Sequence, residues 1–95
     1  MTRVLVVSAE PVGARMAGPA IRALELARAL GETLDVTLAA PGPERVAGVA
    51  QVQAGLADYD ALLAAAAEHD VVVAQLLPPR LLTRVASRTS TTVGL

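Results

Sequence analysis

Runs of consecutive apolar, mostly β-branched residues form the strongest pattern along the chain. Three of them, Arg3–Ser8, Asp35–Ala39 and Asp70–Gln75, contain hardly any polar position between their flanking residues. Such runs are typical of strands that are buried on both faces, as in a parallel sheet covered by helices. We therefore expect three buried strands, and Thr91–Leu95 predicts the start of a fourth.

Helical spacing appears in the segments that separate these strands. Pro19–Leu30 has apolar residues three or four positions apart and predicts a helix of about three turns. Asp58 predicts the start of a second helix, which extends to about His69, because a short carboxylate accepts the free amides of a first turn. Pro78 and Pro79 predict the opening of a third helix, since proline needs no amide partner there.

The alternation of strands and helices predicts the fold class. We expect an α/β protein with a partial Rossmann-like, doubly wound parallel sheet of about four strands and three helices. The pattern of Val49–Gln53 also allows an extra short edge strand. Because the last predicted strand has no covering helix, we expect residues 1–95 to be an incomplete, truncated N-terminal domain.

Composition excludes several classes of function. With 54% hydrophobic and 18% charged residues, the chain has enough apolar surface to fold. Tyr59 is the sole aromatic residue, all the basic residues are arginine and the net charge is −1, which argues against nucleic acid as a partner. The absence of cysteine excludes disulfides, thiolate catalysis and thiolate zinc sites.

The apolar runs are short compared with membrane segments. Val4–Val7 is too short for the apolar core of a signal peptide, and no run approaches the roughly 18 residues of a membrane span. A cytoplasmic location is therefore the expectation. Arg80, Arg84 and Arg88 recur every four residues and predict a solvent-facing stripe, with contact to an anionic acceptor or a membrane surface as the alternative.

The segment from Ser8 to Pro19, between the first strand and the first helix, carries the most chemistry. In an open α/β sheet this position lies at the carboxyl ends of the strands, where ligands bind. Gly18 has no Cβ to keep an anion away, and we expect the amides of Ala20, Ile21 and Arg22 to face that anion. The alternative is that Gly13 and Gly18 only turn the chain. Ser8 and Glu10 are further candidates for substrate contact.

Familiar nucleotide motifs do not fit this loop. Residues Gly13–Ala20 have the glycine spacing of a P-loop but carry Pro-Ala where Lys and Ser or Thr are required. No Gly-x-Gly-x-x-Gly occurs, and Ala39–Pro41 offers no acid to a ribose, so a nicotinamide or flavin cofactor is not expected. A phosphoacceptor receiver domain also fits poorly, because Gln75 stands where a second acid is needed after Glu10.

Nearly the first half of the chain resembles the N-terminus of the retaining family-4 glycosyltransferases, which have the two-domain GT-B architecture. The strand, the glycine loop, a Glu-Leu-Ala helix and the second strand occur in the same order. The segments that carry the resemblance are Arg3–Ser8, Pro11–Pro19, Ile21 and Arg22, Glu25–Leu30 and Asp35–Pro41.

The resemblance implies a role for the loop in a larger enzyme. In that family the N-terminal domain mainly binds the acceptor, the C-terminal domain binds the nucleotide sugar, and transfer needs no obligatory metal or cofactor. Carried over to this chain, Gly13 and Gly18 would contact the donor diphosphate, with Arg15 and Arg22 as helpers. The family's paired glutamates and basic donor-site residue belong to the C-terminal domain, so we expect residues 1–95 alone to be inactive, with their catalytic residues unknown.

The partners that follow are a nucleotide sugar, a glycan, lipid or small-molecule acceptor, and the missing C-terminal domain. Two alternatives remain open at this point. One is a stand-alone α/β module that binds a phosphorylated metabolite through the same loop, and the other is a folding unit without activity.

Two further features favour structural roles. His69, at the end of the second predicted helix, is expected to interact with the last carbonyls of that helix. Arg22, Glu25 and Arg28 lie three apart and predict a solvated strip of ion pairs along the first helix.

Overall fold

The computed structural model of the protein describes residues 2–55, 58–74 and 91–94. Strands and helices alternate along most of the chain, and β2 and β3 are joined by residues 41–49 without a helix. The elements in chain order are β1 (Arg3–Val7), α1 (Gly18–Leu30), β2 (Asp35–Ala40), β3 (Ala50–Gln53), α2 (Tyr59–Ala67), β4 (Val71–Ala74) and β5 (Thr91–Gly94).

All five strands belong to one parallel sheet with the order β3-β2-β1-β4-β5. β1 is central: Val4 is in register with Val36 of β2 on one side and with Val71 of β4 on the other. The chain builds the sheet outward from β1 through β2 to β3, and then returns to the opposite side of β1 for β4 and β5. This is the predicted partial Rossmann-like, doubly wound α/β fold.

Alternate residues of β1 face two separate apolar layers. Val4 and Val6 pack against the buried face of α1, whereas Leu5 and Val7 pack against the buried face of α2. The α1 layer includes Ala20, Ala23, Leu24, Ala27, Val36, Leu38, Ala40 and Val73. The α2 layer includes Ala39, Ala54, Leu62, Leu63, Ala66, Val72 and Ala74. Covering helices on both faces explain why the strand sequences contain no polar alternation.

Residues 41–49, here called the crossover segment, join the parallel neighbours β2 and β3. Such a connection must run back along the sheet, and a helix usually provides it. Nine extended residues can span at most about 30 Å, enough to return along a strand of about 20 Å. Val46 and Val49 pack against the α1 layer. The Arg28 side chain also donates to the Ala47 carbonyl at 3.2 Å. The segment therefore lies against α1.

Both ends of α2 have the contacts that the sequence predicts. Asp58 is its N-cap, and the Asp58 carboxylate accepts a hydrogen bond from the Ala61 amide at 3.2 Å. At the other end, Nδ1 of the largely buried His69 lies 2.7 Å from the Ala65 carbonyl, to which it donates. The expectation of a histidine bonded to the last turn of the helix is confirmed.

The exposed face of α1 differs from its prediction. No ion pair between Arg22, Glu25 and Arg28 is found within residues 2–55, 58–74 and 91–94, so the predicted strip is wrong there. Exposed pairs gain little, because water screens the attraction and ordering two long side chains costs entropy. A pair does join Arg3 to Asp35 across β1 and β2, at 3.7 Å.

The optional edge strand exists. Ala50–Gln53 forms β3, because parallel pairing with β2 satisfies its backbone although its side chains are mostly exposed. The sheet therefore has one strand more than the four that the apolar runs predict. The predicted helix after Pro78, the Arg80, Arg84 and Arg88 stripe and Gln75 lie outside the described residues. Neither α1 nor α2, the helices of the described part of the chain, is long and apolar enough to cross a membrane.

Candidate functional site

The strand order defines where a ligand is most easily held. The connection after β1 leads toward β2, while the chain reaches β4 on the other side of β1. In open α/β sheets, ligands bind at the carboxyl ends of the strands, near the point where the order reverses. In this protein that edge carries the glycine loop, residues 8–17, which connects β1 to α1.

Buried side chains fix both ends of the glycine loop. Ser8 is fully buried; its hydroxyl donates to the Glu10 carbonyl at 2.7 Å and accepts from the Glu10 amide at 3.3 Å. Val12 is buried in the α1 layer, and Met16 packs against the same layer. Ser8 is therefore turned inward and holds the first turn of the loop, which makes it a positioning residue and corrects its expected contact with substrate.

Gly13 meets an acid from the crossover segment. Its φ of 155° is one that residues with a Cβ rarely adopt, and a Cβ at this position would overlap the Glu44 carboxylate. Oε2 of Glu44 accepts a hydrogen bond from the next amide, that of Ala14, at 3.1 Å. The glycine loop thus already holds one carboxylate, supplied by the chain itself.

Gly18 is the first residue of α1, one position earlier than predicted. The preceding Ala17 has no side-chain cap for the helix, and Pro19 supplies no amide. Within the described residues, the amides of Gly18 and Ala20 have no assigned acceptor. A Cβ added at Gly18 would have nothing within 4 Å. The start of α1 is therefore open.

The earlier start of α1 changes which amides can face an anion. The expectation named Ala20, Ile21 and Arg22. The Ile21 amide, however, donates to the Ala17 carbonyl at 3.1 Å, so it is already used. Arg22 lies one turn inside the helix, where amides bond within the helix. Among the described residues, the amides at this helix start without an assigned acceptor are those of Gly18 and Ala20, because helix amides without intrahelical partners belong to the first turn.

The two arginines proposed as helpers are both exposed. Arg15 lies in the glycine loop. Arg22 follows Gly18 by four residues, so Arg22 and Gly18 lie on the same side of α1. Neither guanidinium has an ion pair or hydrogen bond assigned among residues 2–55, 58–74 and 91–94. Gly13 and Arg15 therefore lie in the glycine loop, Gly18 begins α1 directly after it, and Arg22 lies one helical turn further on.

In the described part of the chain, open grooves lie at opposite edges of the sheet. The larger, about 500 Å³, lies near the C-terminal end of α1 and the first residues of β2 and β3. The smaller, about 320 Å³, lies at the carboxyl edge and is lined by Pro41, Gly42, Gln53, Ala54, Gly55 and Asp58. Since parallel sheets bind ligands at the carboxyl edge, the smaller groove is the better candidate.

Sequence reasoning missed Glu44 and Gln51. The Gln51 side chain, on β3, donates to the Glu44 carbonyl at 2.8 Å and accepts from the Val46 amide at 3.2 Å. Arg45 adds a bond to the Pro43 carbonyl at 3.1 Å. These bonds order the part of the crossover segment that contacts the glycine loop. Only the glycine at position 13 signals such a close approach, and it does not identify the partner.

Comparison with known proteins supports the fold. No protein-family model matches the chain, and a search of curated protein sequences also finds no match. Among solved structures, the chain is similar to one described as AtPrR2 in apo form, with a TM-score of 0.64 and 18% sequence identity. The similarity covers 99% of this chain, which spans 38% of the length of that protein. At this identity the similarity establishes a common α/β architecture.

Proposed function

We propose that the chain is the N-terminal, acceptor-side domain of a GT-B-type glycosyltransferase. The enzyme would transfer a sugar from a nucleotide-sugar donor to an acceptor, with the glycine loop beside the donor diphosphate. The observation that supports this most is the open start of α1 at the carboxyl edge, where Gly18 leaves space beside amides that have no assigned acceptor among the described residues.

Phosphate oxygens suit this edge chemically. They accept hydrogen bonds from backbone amides, and the positive end of the α1 dipole lies behind the amides of Gly18 and Ala20. Arg15 and Arg22 are exposed and long enough to add charge-assisted bonds, which are about twice as strong as neutral ones. A diphosphate would therefore contact amides first and guanidinium groups second.

The smaller groove is proposed for an uncharged part of a ligand. Gln53 and Asp58 at its rim present an amide and a carboxylate, which bind hydroxyl groups. In this proposal a glycan, lipid or small-molecule acceptor enters from that side, while the C-terminal domain supplies the groups that assist transfer. No resident metal or cofactor takes part, and a cytoplasmic location belongs to the same proposal.

The loop assignment is tested by replacing Gly18 with Val. A branched side chain at the start of α1 would cover the amides of Gly18 and Ala20, while no residue beyond its chain neighbours lies within 4 Å of the added Cβ. We expect the affinity for uridine diphosphate, measured by calorimetric titration of the chain, to fall about fivefold or more, which corresponds to about 1 kcal/mol or more.

Ala29→Val is the matched control, because it places the same side chain on the exposed face of α1 near the other end of the helix. It should bind like the wild type. Equal affinity of Gly18→Val and wild type, with matching melting curves, would refute the loop assignment. Equally tight binding of uridine diphosphate and a sugar monophosphate would favour the alternative, a module for phosphorylated metabolites.

A further inference from the structure

The contact between Glu44 and the glycine loop places a negative charge at the proposed anion site. The carboxylate of Glu44 accepts from the Ala14 amide and lies against the Cα of Gly13. A carboxylate oxygen and a phosphate oxygen make the same kind of charge-assisted bond to a backbone amide. Glu44 therefore occupies the Ala14 amide, a donor of the glycine loop that is equally suited to a phosphate oxygen.

The carboxylate is held there by its own segment. Gln51 fixes the Glu44 carbonyl from β3, and the Arg45 side chain donates to the same carbonyl at 3.3 Å and to that of Pro43. Arg28 of α1 holds Ala47 further along the segment. These bonds fix the backbone near Glu44 and leave its exposed side chain free to rotate away without disturbing the fold.

A diphosphate and the Glu44 carboxylate cannot share the loop without cost. Two like charges about 6 Å apart repel by several tenths of a kcal/mol even in water, and more near a protein surface. The Ala14 amide can also donate fully to only one acceptor. A diphosphate that takes the Ala14 amide therefore displaces the carboxylate.

We propose that Glu44 is an internal latch, whose carboxylate occupies the glycine loop in the absence of ligand and is displaced when a diphosphate binds. The latch rests on the proposed anion site of the loop. It lowers the affinity for free diphosphates and keeps the loop ordered before a donor arrives. Gly13 is required for it, because only a residue without a Cβ lets the carboxylate approach so closely.

The test compares the wild type with Glu44→Gln in calorimetric titrations with sodium pyrophosphate. Glutamine keeps an acceptor for the Ala14 amide and removes only the charge, so the loop keeps its conformation. We expect Glu44→Gln to bind pyrophosphate about three- to tenfold more tightly at low salt, and the gain to shrink at 1 M sodium chloride, where charges are screened within about 3 Å.

Glu68→Gln is the matched control, since it removes an equal charge from an exposed glutamate at the C-cap of α2. It should bind as the wild type does. If Glu44→Gln binds pyrophosphate as the wild type does, or more weakly, the latch is refuted while the anion site stands. If neither protein binds pyrophosphate or uridine diphosphate, the proposed function fails and the latch fails with it.

Discussion

Gly13 is the residue whose replacement has the clearest expected effect. Its backbone conformation and the close approach of Glu44 each require the absence of a Cβ. Gly18 differs, because it has a helical position and open space around it. The two glycines thus serve different purposes: Gly13 admits a neighbouring side chain to the loop, and Gly18 leaves the start of α1 accessible.

Gly13→Ala is expected to reduce the free energy of unfolding by about 1–3 kcal/mol, the usual cost of an unfavourable backbone conformation. Gly18→Ala should change the free energy of unfolding by less than about 1 kcal/mol, because the helix preference of alanine is offset by the restriction that Pro19 places on the residue before it. Urea unfolding followed by circular dichroism measures both. A Gly13→Ala protein as stable as the wild type would contradict the assigned conformation.

At the same scale, the sequence predicts some site residues and misses others. Gly13, Arg15, Gly18 and Arg22 can be selected because they lie in one short stretch that runs from the loop after β1 into α1. Glu44 cannot, since its contact with Ala14 joins residues 30 positions apart and depends on how the crossover segment folds. Local patterns carry no information about such a contact.

Among the elements, α2 depends most visibly on one side chain. Asp58 caps its first turn, and Asp60 adds a second acid near the positive end of the helix dipole. The helix has only nine residues, so it is too short to be stable without its cap and its packing against the sheet.

Asp58→Ala should destabilise the protein by about 1 kcal/mol, the typical value for the loss of an N-cap. Asp58→Asn should retain most of the stability, because its side-chain oxygen still accepts from the Ala61 amide. Asp60→Ala should cost less than Asp58→Ala, about 0.5 kcal/mol, because it weakens only the interaction with the helix dipole. Thermal unfolding separates these variants, and an Asp58→Ala protein that melts like Asp60→Ala would show that the cap is unimportant.

Element boundaries follow the sequence closely where packing and propensity agree. β1, β2 and β4 occupy the predicted apolar runs to within one residue at each end, because every apolar residue in them packs into one of the two covering layers. β3 has mostly exposed side chains, so its existence depends on pairing with β2, which composition does not reveal. The path of the crossover segment likewise depends on its contacts with α1, which local sequence patterns do not indicate.

On the scale of the whole molecule, β1 links the two apolar layers. Leu5 has no exposed surface and faces the α2 layer, while Val6, also fully buried, faces the α1 layer. A substitution that leaves a cavity on either face of the sheet therefore affects β1, the strand against which both helices pack. The stability of the fold is concentrated there.

Leu5→Ala should reduce the free energy of unfolding by about 2–5 kcal/mol, since it removes buried methyl groups and leaves a cavity. That is a large part of the roughly 5–15 kcal/mol typical of a domain. Ile21→Ala, at an α1 position with 41% exposure, should change stability by only about 0.5 kcal/mol. Urea unfolding compares the two, and equal losses would contradict the position of β1 at the centre of the core.

The strand order also determines when both edges of β1 become paired during synthesis on the ribosome. β2, its first partner, is finished at residue 40, but β4, its second, is finished only at residue 74. At about 5–20 residues per second, the nascent chain carries β1 with one unpaired edge for about two to seven seconds. An unpaired apolar edge is a template for another chain. The reversal of strand order at β1 marks the ligand-binding edge in open α/β sheets. In this protein the same reversal leaves β1 open to aggregation in every newly made molecule until β4 is synthesised.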